Sequence, residues 1–376
     1  MSIEVTGLRK SFGDVPVVQG VDLRVDDGKM LVLLGPSGCG KTTTMRCIAG
    51  LDTPEGGRIS LGGKVVYDAA ARINVSAEKR NVGMVFQSYA IWPHMTVYQN
   101  VAFSLEIART PRAETKARVE AMLELVGLRD LGARGASQLS GGQMQRVALA
   151  RSLVTNPSVL LLDEPLSNLD ARLRDYLRVQ LREIQTSLKI TALYVTHDQH
   201  EALALADDIV VLAAGEVLQR GAPMDMYYAP GSSAVAQFLG YSNIFDASIR
   251  SRDGATCEAI LDACGLRVAG TSGASGVPET AAVCVRPNDV QLTAAPSGTT
   301  ANDLPENTYL AEVIFSSFEG TQVHYQARTG GGTVWDIVSP DVAGTLVTGT
   351  RAVVQVPVDR VLILPRSAED AGQAHS

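Results

Sequence analysis

Two hydrophobic textures divide the chain near residue 240. Before it, short continuous apolar runs such as Leu31–Leu34 and Val159–Leu162, with Tyr194-Val-Thr and Ile209–Leu212, alternate with helical periodicity. Continuous apolar runs mark strands buried on both faces. Leu173, Leu177, Leu181, Ile184 and Leu188 recur at three- and four-residue spacing with Arg174, Arg178 and Arg182 on other faces, which predicts an amphipathic helix. Alternating strands and helices imply a largely parallel α/β sheet. Val5–Leu8 and Val17–Val25 are expected as an antiparallel edge, and residues from about 88 to 158 as a helical insertion. After Gly240 come short strand-like runs between Gly, Ser and Pro turns: Ile244–Arg250, Ala281–Arg286, Tyr309–Phe315, Thr321–Ala327, Val334–Val338 and Arg351–Val358. That spacing suggests a small β-barrel or sandwich. The pattern predicts an α/β domain over 1–238, a β-rich domain over 239–366 and a polar, frayed tail over 367–376.

Composition narrows this picture. With 376 residues, two domains are the natural division. At 45% hydrophobic and 19% charged residues the chain reads as globular, and a net charge of −7 argues against general nucleic-acid binding. No apolar run approaches the length of a membrane span; Ala202–Ala214, for example, is broken by Asp207 and Asp208. The opening Met1-Ser-Ile-Glu-Val-Thr carries neither a basic nor an apolar signal region. Five cysteines suggest free thiols in a reducing compartment; Cys257 and Cys264 could pair or stay inert.

Chemistry enters at Gly35-Pro36-Ser37-Gly38-Cys39-Gly40-Lys41-Thr42-Thr43, directly after the run Met30–Leu34 and before a helical stretch, Thr43–Ile48. This is the pattern and context of a phosphate-binding loop, whose glycines let backbone N–H groups curl around phosphate oxygens. Lys41 can reach the β- and γ-phosphates and the Thr42 hydroxyl can ligate Mg²⁺. The following helix N-terminus favours anions, and a bulky adduct on Cys39 should block the nucleotide. A second run, Ser158-Val-Leu-Leu-Leu-Asp163-Glu164, ends a buried strand in two acids. Asp163 suits the Mg²⁺ side and Glu164 suits a general base for the attacking water. Third, Leu139-Ser140-Gly141-Gly142-Gln143 precedes an apolar helix, either ordinary Ser/Gly capping or a second anion site.

Leu139–Gln143, lying between the phosphate loop and the Asp163-Glu164 strand, resembles the signature of ABC ATPases, and the order of the three motifs is that family's order. The resemblance implies a P-loop ATPase domain with a mostly parallel sheet, an antiparallel β edge and a helical insertion, followed by a small all-β barrel-like domain. It further implies roles for four positions. Gln87, in Val85-Phe-Gln-Ser, would link Mg²⁺ and water to the helical insertion; Ser167-Asn-Leu-Asp170 would line a partner subunit's site. His197 would be the switch histidine beside the γ-phosphate, and Phe12 the aromatic that stacks on adenine.

One phosphate loop and one signature per chain suggest a head-to-tail homodimer, although a different ATPase subunit could supply the partner site. Tyr89-Ala-Ile-Trp-Pro-His-Met-Thr-Val carries aromatic and Met residues of a kind that a monomeric surface avoids. It reads either as core packing or, by resemblance, as the groove that grips a coupling helix of a membrane permease. Val285-Arg-Pro-Asn-Asp-Val resembles part of the oligonucleotide-fold-like regulatory domain of sugar, ferric-iron and polyamine importer ATPases, with Asn288 where those usually have Glu. The implied protein binds ATP and Mg²⁺ and energises solute import through integral membrane permease subunits at the cytoplasmic face of the membrane. An extracytoplasmic solute-binding protein would be an indirect partner, and nucleic acid would not be one. The Gln87–His94 wording leans toward ferric-iron or polyamine-like solutes; a sugar importer, or a soluble ABC ATPase of translation or DNA repair, is the alternative.

Overall fold

The computed structural model describes residues 1–272 and 280–366. Two compact units emerge, Met1–Met224 and Asp225–Ser376. The expected tail over 367–376 lies outside the described residues.

The first unit carries eleven named strands and six α-helices. In order these are β1 (Ile3–Phe12), β2 (Val15–Val25), β3 (Met30–Leu34), α1 (Lys41–Ala49), β4 (Gly56–Leu61), β5 (Lys64–Asp68), β6 (Ile73–Asn74) and β7 (Val82–Val85). Then come α2 (Val97–Ile107), α3 (Arg112–Leu125), α4 (Gly141–Leu153), β8 (Val159–Asp163), α5 (Ala171–Leu188), β9 (Thr191–Thr196), α6 (Gln199–Leu205), β10 (Asp208–Ala213) and β11 (Glu216–Gly221). The apolar runs form one six-stranded sheet in the order β11-β10-β3-β9-β8-β7, parallel except for the β10–β11 pair. Every residue of β3, β8 and β9 is buried, which is why these strands read as continuous apolar runs rather than alternations.

The antiparallel part is larger than the sequence suggested: β2-β1-β4-β5-β6 make a five-stranded sheet of their own. β1 and the second half of β2 alternate between buried and exposed residues because only one face meets the core. Both sheets and α1 contribute to that core, through Val5, Leu8, Leu31, Met45, Ile48 and Leu193 among others. The expected helical insertion is α2, α3 and α4. In α5, Leu177 and Leu181 are buried as the periodicity requires, while Leu188 at the last turn is exposed.

The second unit begins within α7 (Pro223–Tyr228) and continues through α8 (Ser233–Phe238) into strands β12 (Asn243–Asp253), β13 (Thr256–Leu261), β14 (Arg267–Thr271) and β15 (Thr280–Val285). These are followed by β16 (Gln291–Ala294), β17 (Thr308–Phe318), β18 (Val323–Thr329), β19 (Val334–Ser339), β20 (Arg351–Gln355) and β21 (Leu362–Pro365). Strands β12-β13-β14-β21-β15 close into a barrel, and β16-β20-β17-β18-β19 form a second sheet. They share one core, in which Trp335 is fully buried between Phe245, 4.9 Å away edge-on, and Tyr309, stacked at 5.9 Å. The unit starts at Asp225 rather than at 239 because the intervening helices pack on the barrel. Ala236 clusters with Tyr241, Cys284 and Leu364. Arg286 of the Val285–Val290 motif lies between the rings of Tyr227 and Tyr241 and donates to the Tyr227 carbonyl.

Candidate functional site

Parallel strands bring their carboxyl ends to one edge, and in open α/β sheets ligands bind beyond that edge. The loops that leave β3, β9, β8 and β7 carry, respectively, Gly35–Thr43, His197, Asp163-Glu164 and Gln87. Four segments separated by long stretches of sequence therefore form a row.

The phosphate loop wraps the Lys41 ammonium, which donates to the carbonyls of Gly35 (2.8 Å) and Pro36 (2.7 Å) and lies 3.7 Å from the Cys39 sulfur. Burial pushes the Cys39 thiol up, opposed by the Lys41 charge. Gly40 has φ +100°, and a Cβ there would sit 2.5 Å from the Val17 carbonyl oxygen, so the loop must have glycine where it enters α1. Thr42, in the first turn of α1, donates its hydroxyl proton to Asp163 Oδ1 at 2.8 Å. Burial raises the Asp163 carboxyl, and the Thr42 hydrogen bond and neighbouring cations counter this while the Glu164 charge adds to it.

Glu164 follows β8 with φ +43°, an uncommon left-handed conformation for a non-glycine residue. Its two oxygens are shared: Oε1 lies 3.1 Å from His197 Nδ1, and Oε2 accepts from Gln87 Nε2 at 3.4 Å. The structure thus joins the expected base, switch histidine and glutamine in one cluster. Glu164 is largely shielded, whereas the His197 side chain is 57% exposed. Phe12 pairs with Val15 at the β1–β2 turn, and its ring is exposed with the Lys10 ammonium 5.1 Å above it. All five cysteines are free thiols; Cys257 is buried in the second unit's core and Cys264 accepts from the Thr333 hydroxyl.

Ser140 caps α4 in a reciprocal box with Gln143: the Ser140 hydroxyl accepts from the Gln143 N–H, and the Gln143 side chain accepts from the Ser140 N–H. Among the described residues neither makes a hydrogen bond to the phosphate loop. Gly142 is needed for close packing, because a Cβ there would meet Leu173 Cδ2 at 2.8 Å. Asp170 caps α5 by accepting from the Leu173 N–H, while Ser167 and Asn168 donate to the carbonyls of Glu164 and Gln87.

The Tyr89–Val97 segment divides between its two sequence readings. Tyr89 is buried; Trp92 is half-buried, packs 4.2 Å from Phe103, and with Phe86 and Arg151 lines a cleft of about 500 Å³. Arg151 was not singled out in the sequence. It donates to the carbonyls of Tyr89 and Ala90, two consecutive left-handed residues, and its guanidinium lies over the Trp92 ring at 4.8 Å. Glu201 was missed too: it is 3% exposed and accepts from the Tyr194 and Thr196 hydroxyls, each at 2.8 Å, and burial raises its carboxyl. Glu201 lies four positions after His197 on α6, a spacing that signalled only a polar helix start.

A phosphate loop, a paired-acid strand end bonded to a histidine and a glutamine, and a Leu-Ser-Gly-Gly-Gln helix start on this unit are the features of a nucleotide-hydrolysing unit, and the comparisons agree. The family described as ABC transporter matches residues 18–167, and the TOBE domain matches residues 283–364. The chain belongs to the ATP-binding subunits of ABC transporters, a family of ATPases.

Among similar proteins, the Fe(3+) ions import ATP-binding protein FbpC of Brucella suis biovar 1 is 43% identical over 356 residues, spanning 94% of this chain and 95% of that protein. FbpC 1 of Rhizobium meliloti is 42% identical over 353 residues, with 94% and 95% covered. A solved structure of cbiO1 from Clostridium perfringens, part of the ABC transporter complex cbiONQ, superposes with a TM-score of 0.55 at 29% identity, covering 62% of this chain and 92% of that one. No helix among the described residues is long and apolar enough to cross a membrane.

Proposed function

We propose that this chain is the ATPase of a ferric-iron importer, acting as a homodimer against permease subunits at the cytoplasmic face of a membrane. The observation that carries the reading is the similarity to Fe(3+) ions import proteins, which runs through both units at 43% identity over 94% of the chain. Gly35–Thr43 hold the ATP phosphates, Lys41 offsets their charge and Phe12 stacks on adenine. Glu164 takes a proton from water that Gln87 and His197 orient, which explains why both side chains converge on its carboxylate. Mg²⁺ fits the donor set, since Thr42 and Asp163 present hydroxyl and carboxylate oxygens 2.8 Å apart, with the Gln87 amide as a further oxygen donor. When bound, the ion would supply charge neutralisation on the β- and γ-phosphates.

Ser140–Gln143, at the N-terminus of α4, serve the nucleotide held by a second copy, and Asp170 lines that copy's site. The cleft beside Trp92 receives a permease helix. A solute-binding protein reaches the chain only through the permease, and nucleic acid has no part.

Two measurements test this reading. Glu164→Gln keeps size and hydrogen bonding but loses the proton acceptor, so ATP binding should persist while hydrolysis falls by ~10²-fold or more, and an ATP-dependent dimer should accumulate on size-exclusion chromatography. Cells lacking the gene should lose uptake of radiolabelled ferric iron while keeping polyamine and sugar uptake. Loss of polyamine or sugar uptake instead would reassign the solute.

A further inference from the structure

The loop Ser167–Asp170 is tied to the catalytic cluster on one side by Ser167 and Asn168, as described. On its other side one side chain stands between it and the histidine loop. Arg174, in the first turn of α5, donates through Nη2 to the Leu169 carbonyl at 3.1 Å and through Nη1 to Asp198 Oδ2 at 3.3 Å. Asp198 immediately follows His197, and it is held at every polar atom that bears on the loop. Its Oδ1 accepts from the N–H groups of His200 (2.7 Å) and Glu201 (3.3 Å), which caps α6, and its own N–H donates to the Thr196 hydroxyl at 2.9 Å. That hydroxyl in turn donates to Glu201, which Tyr194 also fixes. His197 is therefore bracketed by two anchored neighbours, and one of them is joined by Arg174 to the loop expected to face a second copy.

We propose that Arg174 is a positioning residue: it couples the Ser167–Asp170 loop to the His197 loop, so that a displacement of the first resets the Glu164–His197 pair. The inference rests on the reading of Glu164 and His197 given above. The signature helix is in register to drive such a displacement. Cβ atoms added at Gly141 and Gly142 would lie 3.2 Å from Leu169 and 2.8 Å from Leu173, so α4 bears directly on the residue whose carbonyl Arg174 holds and on the residue that precedes Arg174. Stability gives little reason for the pair. Arg174 and Asp198 are 31% and 22% exposed, and such part-solvated ion pairs contribute little to folding. A planar guanidinium dividing its donors between a carbonyl and a carboxylate fixes geometry instead. Catalysis is sensitive to misplacements of about 1 Å.

Arg174→Gln, Asp198→Asn and the double variant of the full chain separate these roles, since an asparagine side chain keeps the oxygen that caps α6. Arg174→Gln should lower kcat by ~10-fold with KM for ATP within about 2-fold, because the phosphate loop is untouched. The double variant should be no slower than the slower single, as expected for groups acting as one unit. Wild-type kcat in a folded Arg174→Gln, a parallel rise in KM, or multiplicative losses in the double variant would overturn the proposal. If Arg174→Gln fails to fold, Asp198→Asn alone carries the same kcat and KM criteria. Glu164→Gln is run alongside. Turnover in that variant removes the base assignment itself, whereas a dead Glu164→Gln beside a fully active Arg174→Gln refutes only the coupling.

Discussion

Gly38 and Gly40 lie two residues apart in the phosphate loop, and the structure assigns them different costs for gaining a methyl group. Both have positive φ, +82° and +100°, so Ala at either position pays for a left-handed backbone, about 1–2 kcal/mol. Alanine also restricts the unfolded chain, which returns about 0.4–1 kcal/mol. For Gly38 nothing else lies within 4 Å, and the net cost should stay near 1 kcal/mol. For Gly40 the new Cβ would sit 2.5 Å from the Val17 carbonyl oxygen.

That carbonyl is held close on a second side as well. Gly215 approaches it from another side, where an added Cβ would lie 2.7 Å away. The Gly215 N–H is bonded to the Cys39 carbonyl and its own carbonyl to the Gln19 N–H, which locks loop, β2 and turn together. Overpacking against such a fixed group costs about 1–3 kcal/mol beyond the backbone term. At roughly 2–4 °C per kcal/mol for a unit of this size, Gly40→Ala should melt about 2–12 °C below Gly38→Ala. Thermal denaturation without nucleotide, followed by circular dichroism, reads the difference free of ligand effects. Equal melting temperatures, or a lower one for Gly38→Ala, would refute the packing of the loop against β2.

Mixing two inactive variants, Lys41→Ala and Ser140→Arg, should regain ATPase activity if the chain pairs with itself, because random exchange leaves about a quarter of all sites whole when each site combines two subunits. No gain in binding or turnover, with exchange verified by differently tagged chains, counts against composite sites. The Glu201 carboxyl is raised above its usual 4.5 by burial, so its contribution to stability is greatest below that value and is lost as pH rises through the folded value. Glu201→Gln keeps an acceptor for Tyr194 and Thr196, and its melting temperature should gain on the wild type between pH 5 and pH 8; a pH-independent difference contradicts the assignment. Arg151→Met should speed amide exchange across Tyr89–Met95, since two left-handed carbonyls lose their donor; unchanged exchange means that the backbone there holds itself.

The parallel strands β3, β8, β9 and β10 were legible because burial on both faces writes the same signal into nearly every residue, as in Val159–Asp163, whereas the short, half-buried β7 was not. The half-solvated strands β4, β5, β13 and β14 were not. Their short apolar residues are interrupted by charged ones, and in β4 and β14 by Gly, and their partners are fixed only by pairing. The phosphate loop and the paired acids were legible because their chemistry is local, a few residues in fixed order after a strand. Arg151, Arg174 and Glu201 were not, because each acts on backbone or side-chain groups brought near by folding. In sequence Arg174 read only as the polar face of α5, and nothing local distinguishes it from Arg178.

Sheet order explains why the candidate cluster could be inferred as a set but not as a geometry. In chain order the strands run β3, β7, β8, β9, whereas across the sheet they run β3-β9-β8-β7. The last of these four strands is thus inserted between the first and the other two, which puts His197 beside Glu164 and places the β8 and β9 ends next to each other. Adjacent strands lie about 4.8 Å apart, so Gln87 at the far end is roughly three strand spacings from the phosphate loop. Glu164 is one spacing from either neighbour, and it is the residue whose carboxylate both His197 and Gln87 reach. The two acids consequently face different partners: Asp163, buried and bonded to Thr42, points toward α1, while Glu164 lies along the row between His197 and Gln87.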